Sequence, residues 1–269
     1  MNAILLLRPS QWTKNLLVFA PLFFGGELHN PEKVSASVIA FFAFCLVAGG
    51  GYAWNDAQDG SADREHAAKK RRPVAAGKIS RMRAGAVGFA ATGAGIALAA
   101  TYVPTAAVAL GAYAALSAIY SLGMKRIPIA ELLFFPAFYL MRVFAGGTAT
   151  DIAVSGWLAL CVIFISLFII TAKRKAEIGR SAYSERFLEN IAVIFGSAAL
   201  MSYGIWCVII APSPYAVYSM LFPVAGIMRY LMLAEKEKAT EYPERIIFGD
   251  PWTVCVIIGW VAWTYALSY

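Results

Sequence analysis

The sequence predicts an all-α integral membrane protein with nine transmembrane helices. Hydrophobic residues make up 60% of the 269 positions, charged residues make up 14%, and the mean hydropathy is strongly positive. This composition excludes an ordinary soluble protein. Apolar runs long enough to cross a hydrocarbon core, which takes about 20 residues per helix, recur along the chain.

Breaks at glycine, proline and charged residues divide the chain into nine predicted spans. They cover residues 15–28, 34–54, 84–102, 106–122, 131–149, 156–172, 189–211, 217–233 and 251–268. The first of these is the shortest. The first residues of the sequence, MNAILLLRPSQWTKN, lack the small-residue cleavage site of a signal peptide, so we expect a retained N-terminal arm over residues 1–14.

The basic residues predict the orientation of the spans. The arm and the loops at 55–83, 123–130, 173–188 and 234–250 together hold 20 of the 23 Lys and Arg residues, whereas the alternate loops hold only Lys33. Positive charge stays on the cytoplasmic side of a cell (inner) membrane. We therefore expect the N-terminus and these large loops in the cytoplasm and the C-terminus outside.

One arginine is predicted deep inside a span. Arg142 lies eleven residues after Glu131, which is about 16 Å along a helix at 1.5 Å per residue. A charge at that depth costs at least about 2.5 kcal/mol unless it faces a polar partner or cavity. The sequence leaves open whether Arg142 has a structural counter-ion or lines a substrate cavity.

Three aspartates follow the second span, in the stretch NDAQDGSADREHAAKKRRP. Asp56, Asp59 and Asp63 are spaced by three and four residues, so they share one face if the helix continues past the membrane surface. Such carboxylates repel one another, and Mg²⁺ relieves this by binding one or two of them together with water and substrate phosphates. The alternative is a solvated helix whose acids pair with the basic residues that follow.

Basic residues in the same loop and in its neighbours favour an anionic ligand. They lie in the stretches REHAAKKRRP, YSLGMKRIP and TAKRKAEIGRSAYSER. An anion that arrives together with its metal accounts for acids and bases at one place. We therefore predict a diphosphate site at the cytosolic end of the helix bundle.

These motifs resemble a known family. NDAQDGSAD fits the NDxxDxxxD signature of the UbiA-type intramembrane prenyltransferase superfamily, and YSLGMK fits its YSxxxK element. With nine spans in the same order, the resemblance extends over essentially the whole chain. It implies a single transmembrane catalytic domain over residues 1–269, folded as a UbiA-like bundle with a cytosol-facing polar cavity.

One departure from the superfamily pattern indicates a branch within it. Most members carry a second aspartate motif, DxxxD, where this chain has KRKAE with Lys173 and Glu177. RPSQWTKN, KRRPVAAG, LFIITAKRKAE and PERIIFGD are similar to the polyprenyl-phosphate phosphoribosyltransferase branch. That resemblance implies Mg²⁺-dependent transfer of 5-phosphoribosyl from 5-phosphoribosyl 1-diphosphate to a polyprenyl phosphate of the decaprenyl phosphate type. It also implies a role in making arabinan precursors for the cell envelope, with the membrane and no nucleic acid as a partner.

The resemblance implies a role for each site residue. Asp56, Asp59 and Asp63 are the expected catalytic and metal-binding residues. The expected substrate-binding residues are Lys14, Asn55, Arg64, Lys69, Arg72, Tyr120, Lys125, Arg142, Lys173 and Glu177. For Lys14 an anchor to lipid headgroups is the alternative, and for Arg8 such an anchor is the expectation.

Two other functions stay open at this point. A UbiA-type prenyltransferase would move a prenyl group from an isoprenyl diphosphate to an aromatic or other small acceptor, although the missing second DxxxD weighs against it. A membrane transporter or scaffold is an alternative of a different class, for which more polar residues along a central path would be expected. The oligomeric state is left open.

Overall fold

The structure is a computed structural model that describes residues 2–65, 69–176, 182–236, 247 and 249–269. The described residues are mainly α-helical and contain no strand. Eight helical stretches in this part of the chain are long and apolar enough to span a membrane, and they correspond to the second to ninth predicted spans. The chain is therefore a multi-pass membrane protein, and the prediction of an all-α fold is confirmed.

The described α-helices are numbered here in chain order. They are α1 (Asn2–Leu6), α2 (Ala20–Phe24), α3 (Pro31–Asp59), α4 (Arg81–Tyr102), α5 (Pro104–Leu122), α6 (Ala130–Thr150), α7 (Gly156–Ala176), α8 (Glu185–Ile209), α9 (Leu221–Lys236) and α10 (Pro251–Ser268). Short 3₁₀ segments cover Pro9–Phe19, Ala62–Glu65, Lys69–Arg71, Met124–Arg126 and Pro214–Met220.

Polar caps explain where several of these helices begin. The side chains of Asn30, Ser80, Ser184 and Asp250 each accept hydrogen bonds from backbone N–H groups in the first turn of α3, α4, α8 and α10. The first N–H groups of a helix have no partner within it, so a side-chain oxygen at this position stabilises the start.

The predicted first span, residues 15–28, is divided in the structure. Pro9–Phe19 is a 3₁₀ segment, Ala20–Phe24 is a short α-helix, and Gly25 and Gly26 follow as a turn. Residues 15–28 therefore contain no single helix of spanning length. The count of nine passes stays a prediction, while eight candidate spans are observed in the described residues.

The chain divides into two compact units, Met1–Lys125 with Met141–Val154 (the first unit) and Arg126–Leu140 with Ser155–Tyr269 (the second unit). In the first unit, α3 and α4 approach closely because Gly50 and Gly88 face each other's backbone. A Cβ added to Gly88 would lie 2.9 Å from the Gly50 carbonyl oxygen. A Cβ on Gly146 would overlap the carbonyl oxygen of Val18, so the absence of a side chain at Gly146 lets the 3₁₀ segment Pro9–Phe19 lie against α6. Small residues of this kind allow close packing in membrane proteins.

In the second unit, α7 packs against α8, and Phe168, Ala172, Ala192 and Tyr230 form a buried cluster. A bidentate ion pair joins α9 to the start of α10: Arg229 Nη2 and Nε lie 2.6 Å and 3.0 Å from the two carboxylate oxygens of Asp250. The hydrogen bonds from Arg229 hold the pKa of Asp250 well below its usual range.

Candidate functional site

The aspartate motif lies where α3 ends. Asn55, Asp56 and Asp59 are on the last turns of α3, which stops at Asp59, and Asp63 follows on the 3₁₀ segment Ala62–Glu65. The helix therefore continues far enough to carry Asp56 and Asp59, but the condition for a face shared by all three carboxylates is not met at Asp63. Gly60 follows the last residue of α3 at a position that leaves little room for a side chain, since a Cβ there would lie 2.8 Å from a methyl group of Val74.

Asp56 is a buried carboxylate held by two guanidinium groups. Its side chain is 1% exposed. Arg8 Nη2 donates to Asp56 Oδ1 at 2.5 Å, and Arg72 Nη1 donates to the same oxygen at 3.3 Å. The second oxygen, Oδ2, is buried and accepts no hydrogen bond from the described residues. A buried carboxylate oxygen without a hydrogen-bond partner is costly, and a ligand that supplied positive charge at Asp56 Oδ2 would offset that cost.

Asp63 meets Asp56 through a shared arginine. Arg72 Nη1 donates to Asp63 Oδ2 at 2.7 Å as well as to Asp56, and the Asp63 side chain is 7% exposed. Arg72 is thus the residue of the KKRR run that reaches the acidic cluster. Asp56 lies on α3 and Asp63 lies beyond its end, and the guanidinium of Arg72 joins the two carboxylates.

Asp59 pairs with the lysine of the second motif. Lys125 Nζ donates to both carboxylate oxygens of Asp59, at 2.7 Å and 2.8 Å. Ser121 Oγ, from the same YSLGMK stretch, is hydrogen-bonded to Asn55 Oδ1. The two stretches that carry the family resemblance therefore meet in the first unit, across 66 residues of sequence.

Arg8 belongs to this cluster, which the sequence reasoning missed. It was expected at the lipid headgroups, but its guanidinium contacts Asp56 and also lies 4.9 Å from the centre of the Tyr52 ring. Its backbone is left-handed, with φ 48° and ψ 64°, directly before Pro9. This conformation is uncommon for a residue other than glycine, and it turns the arm so that the side chain reaches α3. The available signal was RPSQWTKN, which the branch resemblance already included.

Arg142 is buried in the first unit among polar and aromatic groups. Its Nε donates to Asn15 Oδ1 at 2.8 Å, and its guanidinium lies 5.1 Å from the ring centres of both Phe44 and Tyr113. These contacts account for how a guanidinium is accommodated at this depth. Its predicted contact with substrate is not tested by the structure and stays a prediction.

The other predicted residues of the first unit lie at varied positions. Lys14 Nζ donates to Gln11 Oε1 within the arm. Arg64 is exposed and its Nε donates to the carbonyl oxygen of Ala75 at 3.2 Å. The remaining two, both half-buried, are Lys69 and Tyr120. Their substrate-binding roles stay predictions.

The KRKAE stretch lies in the second unit, at the end of α7. Lys173 is half-buried there. The bases beside it pair within the unit: Arg174 Nη2 lies 2.6 Å from a carboxylate oxygen of Glu131, and Lys175 Nζ lies 2.6 Å from one of Glu189. Glu177, the last of the predicted substrate-binding residues, lies outside the described residues.

Two observations bear on whether the described residues fit a divalent cation. Over residues 2–65, 69–176, 182–236, 247 and 249–269, no group of three or more His, Cys, Asp or Glu side chains is placed to hold a metal. The assignment of Mg²⁺ to Asp56, Asp59 and Asp63 therefore stays a prediction. However, Mg²⁺ takes only one or two carboxylates when substrate phosphates complete its shell. The unpartnered oxygen of Asp56, with Asp63 beside it, suits that role.

Comparison with known sequences identifies relatives along most of the chain. The family model described as UbiA prenyltransferase family matches residues 17–243. A decaprenyl-phosphate phosphoribosyltransferase of Corynebacterium glutamicum is 31% identical over 95% of this chain and 83% of its own length. A decaprenyl-phosphate phosphoribosyltransferase of Mycobacterium tuberculosis is 32% identical over 95% of this chain and 90% of its own length.

A solved structure shares the fold. A UbiA homolog from Archaeoglobus fulgidus, bound to GPP and Mg²⁺, superposes with a TM-score of 0.78 over 100% of this chain and 99% of that one. The sequence identity is 17%. At that identity the likeness establishes a UbiA fold, as the motifs predicted.

Proposed function

The chain belongs to the UbiA prenyltransferase family, and we propose that it transfers the 5-phosphoribosyl group of 5-phosphoribosyl 1-diphosphate to a polyprenyl phosphate of the decaprenyl phosphate type. The products are polyprenylphosphoryl-5-phosphoribose and diphosphate. The observation that carries the proposal is the identity of 31% and 32%, over 95% of the chain, to two decaprenyl-phosphate phosphoribosyltransferases. In the proposed reaction the donor is the water-soluble, multiply charged substrate, which agrees with the KRKAE stretch in place of DxxxD.

The cluster in the first unit is the proposed donor site. Asp56, Asp59 and Asp63 face three cations, Arg8, Arg72 and Lys125, so the carboxylates and bases are balanced before a ligand binds. Asp56, through its buried Oδ2, and the neighbouring Asp63 would hold Mg²⁺ together with the diphosphate, and the bound cation would supply charge stabilisation for the departing diphosphate. The guanidinium and ammonium groups are then available to donate to phosphate oxygens.

The proposed reaction makes one bond and breaks one bond at C1 of the ribose. The bond from C1 to the diphosphate oxygen breaks, and an oxygen of the polyprenyl phosphate forms the new bond to C1. Lys125 and Arg72 stabilise the negative charge that grows on the leaving diphosphate. Positive charge on the ribose ring is offset by a nearby aspartate carboxylate. The acceptor phosphate is already anionic near neutral pH, so the chain needs no strong general base.

We also propose the arrangement in the membrane. The charge asymmetry supports a cytoplasmic N-terminus, a cytosol-facing polar cavity and an external C-terminus, because 20 of the 23 Lys and Arg residues lie in the arm and the loops at 55–83, 123–130, 173–188 and 234–250. In this arrangement residues 15–28 supply a ninth pass, and residues 1–269 act as one transmembrane catalytic domain. A cysteine-accessibility scan of single cysteines placed in these loops tests the orientation.

A second candidate function is prenyl transfer from an isoprenyl diphosphate, which is favoured by the fold shared with a homolog bound to GPP. Purified protein in lipid nanodiscs, incubated with Mg²⁺ and each donor in parallel, separates the two. We expect a lipid of the mass of polyprenylphosphoryl-5-phosphoribose from the phosphoribosyl donor and no turnover of the isoprenyl diphosphate. Turnover of only the isoprenyl diphosphate would replace our proposal with prenyl transfer, and turnover of neither would favour a transporter or scaffold.

A further inference from the structure

The second unit contains an apolar cavity that the proposed chemistry does not use. Its volume is about 310 Å³, and α7, α8, α9 and α10 all contribute to its wall. The lining is almost entirely hydrocarbon and aromatic, and none of the described residues that line it is charged. Representative lining residues are Cys161, Phe168, Ala199, Tyr203, Gly226 and Trp260.

Three polar groups at the wall of the cavity have hydrogen-bond partners within the protein. Tyr203 OH accepts from Trp260 Nε1 at 2.8 Å and is hydrogen-bonded to Ser219 Oγ at 2.6 Å. Thr253 Oγ1 donates to a carboxylate oxygen of Asp250 at 2.7 Å. Water in a cavity needs two to four polar partners, and apolar cavities of this kind stay dry and take up apolar ligands. Tyr230 and Cys161 also carry polar groups among the lining residues, but the surface that faces the cavity is almost entirely apolar, so a hydrocarbon ligand matches it.

The cavity is extended along the helices. On α7 its lining runs from Cys161 to Ile169, which is about 12 Å at 1.5 Å per residue. On α10 it runs from Thr253 to Trp260, which is about 10 Å. On α8 the lining covers only Ala199 to Tyr203, about 6 Å, so a hydrocarbon chain along the helix axes would contact α7 and α10 over most of its length and α8 over a shorter stretch.

The membrane contains hydrocarbon chains of this kind, and improved packing favours their entry into the cavity. Lipid tails are as apolar as leucine, so moving a chain from bilayer to protein gains little from the hydrophobic effect. An unfilled cavity, however, deprives the side chains around it of contact partners, and a chain inside restores those contacts.

We propose that this cavity binds a stretch of hydrocarbon chain, and that its occupant during the reaction is the isoprenoid tail of the polyprenyl phosphate acceptor. The identity of the chain rests on the proposed function, since that function makes a long isoprenoid the substrate. The apolar wall and the size of the cavity carry the binding site itself. In this role the cavity retains the acceptor by its tail without contacting its phosphate.

Photolabelling tests the proposal without relying on catalysis. The probe is a polyprenyl phosphate with a diazirine in its tail, added to purified full-length protein in nanodiscs with neither Mg²⁺ nor phosphoribosyl donor. We expect labelled peptides from α9 and α10 that contain cavity-lining residues, and competition by unlabelled decaprenyl phosphate. Label confined to residues outside the lining would overturn the proposal.

A variant that fills the cavity, compared with a matched control variant, tests the proposal independently. A Cβ on Gly226 lies 3.8 Å from Val256 Cγ1, an ordinary contact, so the backbone accepts a side chain and Gly226→Leu extends it into the cavity. Gly93→Leu is the control, because a Cβ on Gly93 has no atom within 4 Å and Gly93 does not line the cavity. We expect cavity labelling to fall about tenfold in Gly226→Leu, the loss of about 1.4 kcal/mol of binding, and to be unchanged in Gly93→Leu. Equal labelling in both variants would overturn the proposal.

A replacement variant, a second probe and one further outcome distinguish the proposal from its alternatives. If Gly226→Leu fails to purify as a monodisperse protein, Ala199→Leu fills the cavity from α8 instead. A phospholipid with a diazirine in its acyl chain distinguishes the two sources of hydrocarbon: labelling by this probe that excess decaprenyl phosphate does not displace would show that a structural lipid occupies the cavity, against our assignment. Cavity labelling in a protein that transfers no phosphoribose would count against the proposed function alone, because the labelling requires no donor.

Discussion

Replacing Arg72 with methionine removes the guanidinium that joins Asp56 and Asp63. Arg72 Nη1 lies 2.7 Å from Asp63 Oδ2 and 3.3 Å from Asp56 Oδ1, and its side chain is 23% exposed. Removing one partner of a buried ion pair costs about 3–5 kcal/mol. Because Arg72 is partly exposed and Arg8 stays on Asp56, we expect a loss of about 2–3 kcal/mol. At about 2–4 °C per kcal/mol, Tm falls by about 8 °C.

The assay is thermal unfolding of the purified variants in one detergent, without Mg²⁺. Arg71→Met is the matched control, since Arg71 is exposed beside Arg72, and we expect its Tm within about 2 °C of the wild type. The double variant Arg72→Met with Asp63→Asn is expected to unfold at a higher temperature than Arg72→Met alone, because it no longer leaves the Asp63 charge unpaired. Equal Tm values for Arg72→Met and Arg71→Met would refute the reasoning.

Two further predictions concern packing and pH. Gly146→Ala places a Cβ against the Val18 carbonyl oxygen, so we expect about 1–3 kcal/mol of overpacking and a Tm about 2–12 °C below that of the wild type. Gly111→Ala, where a Cβ meets no atom within 4 Å, should leave Tm unchanged or raise it, and a fall in both variants would contradict this account. Arg229 lowers the pKa of Asp250 in the folded protein. The stabilising effect of the Asp250 carboxylate is therefore complete above its unfolded pKa and is lost as pH falls through its folded pKa. We expect the Tm difference between wild type and Asp250→Ala to stay constant from about pH 5 to 8 and to shrink only in stronger acid, and a difference that vanished near pH 6 would show that another group is responsible.

Much of the fold was predictable because hydropathy and charge act locally. Eight predicted spans correspond to the eight candidate membrane helices of the described residues, since an apolar run of that length must satisfy its backbone hydrogen bonds as a helix in lipid. The exception is residues 15–28, where Pro9–Phe19 forms a 3₁₀ segment seated with Val18 against Gly146. Hydropathy counts apolar residues but does not register such a tertiary constraint.

The site was predictable in its residue types and less so in its contacts. The motifs indicated that Asp59 and Lys125 share a site, and the structure brings them within 2.7 Å. The contact of Arg8 with Asp56 joins residues 48 positions apart and depends on the left-handed backbone at Arg8. No periodicity reports such a contact, because it arises from how the arm folds onto α3.

The most direct test of the central claim is the formation of polyprenylphosphoryl-5-phosphoribose from labelled phosphoribosyl donor by wild type and Asp56→Asn in nanodiscs. The account predicts product with wild type and Mg²⁺, none after chelation of Mg²⁺, and at least about a hundredfold lower rate in Asp56→Asn, as expected when a charge-stabilising group is lost. Asp250→Asn, altered in the other unit, should retain most of the rate. A wild-type rate in Asp56→Asn, or product formation that needs no divalent metal, would contradict the account.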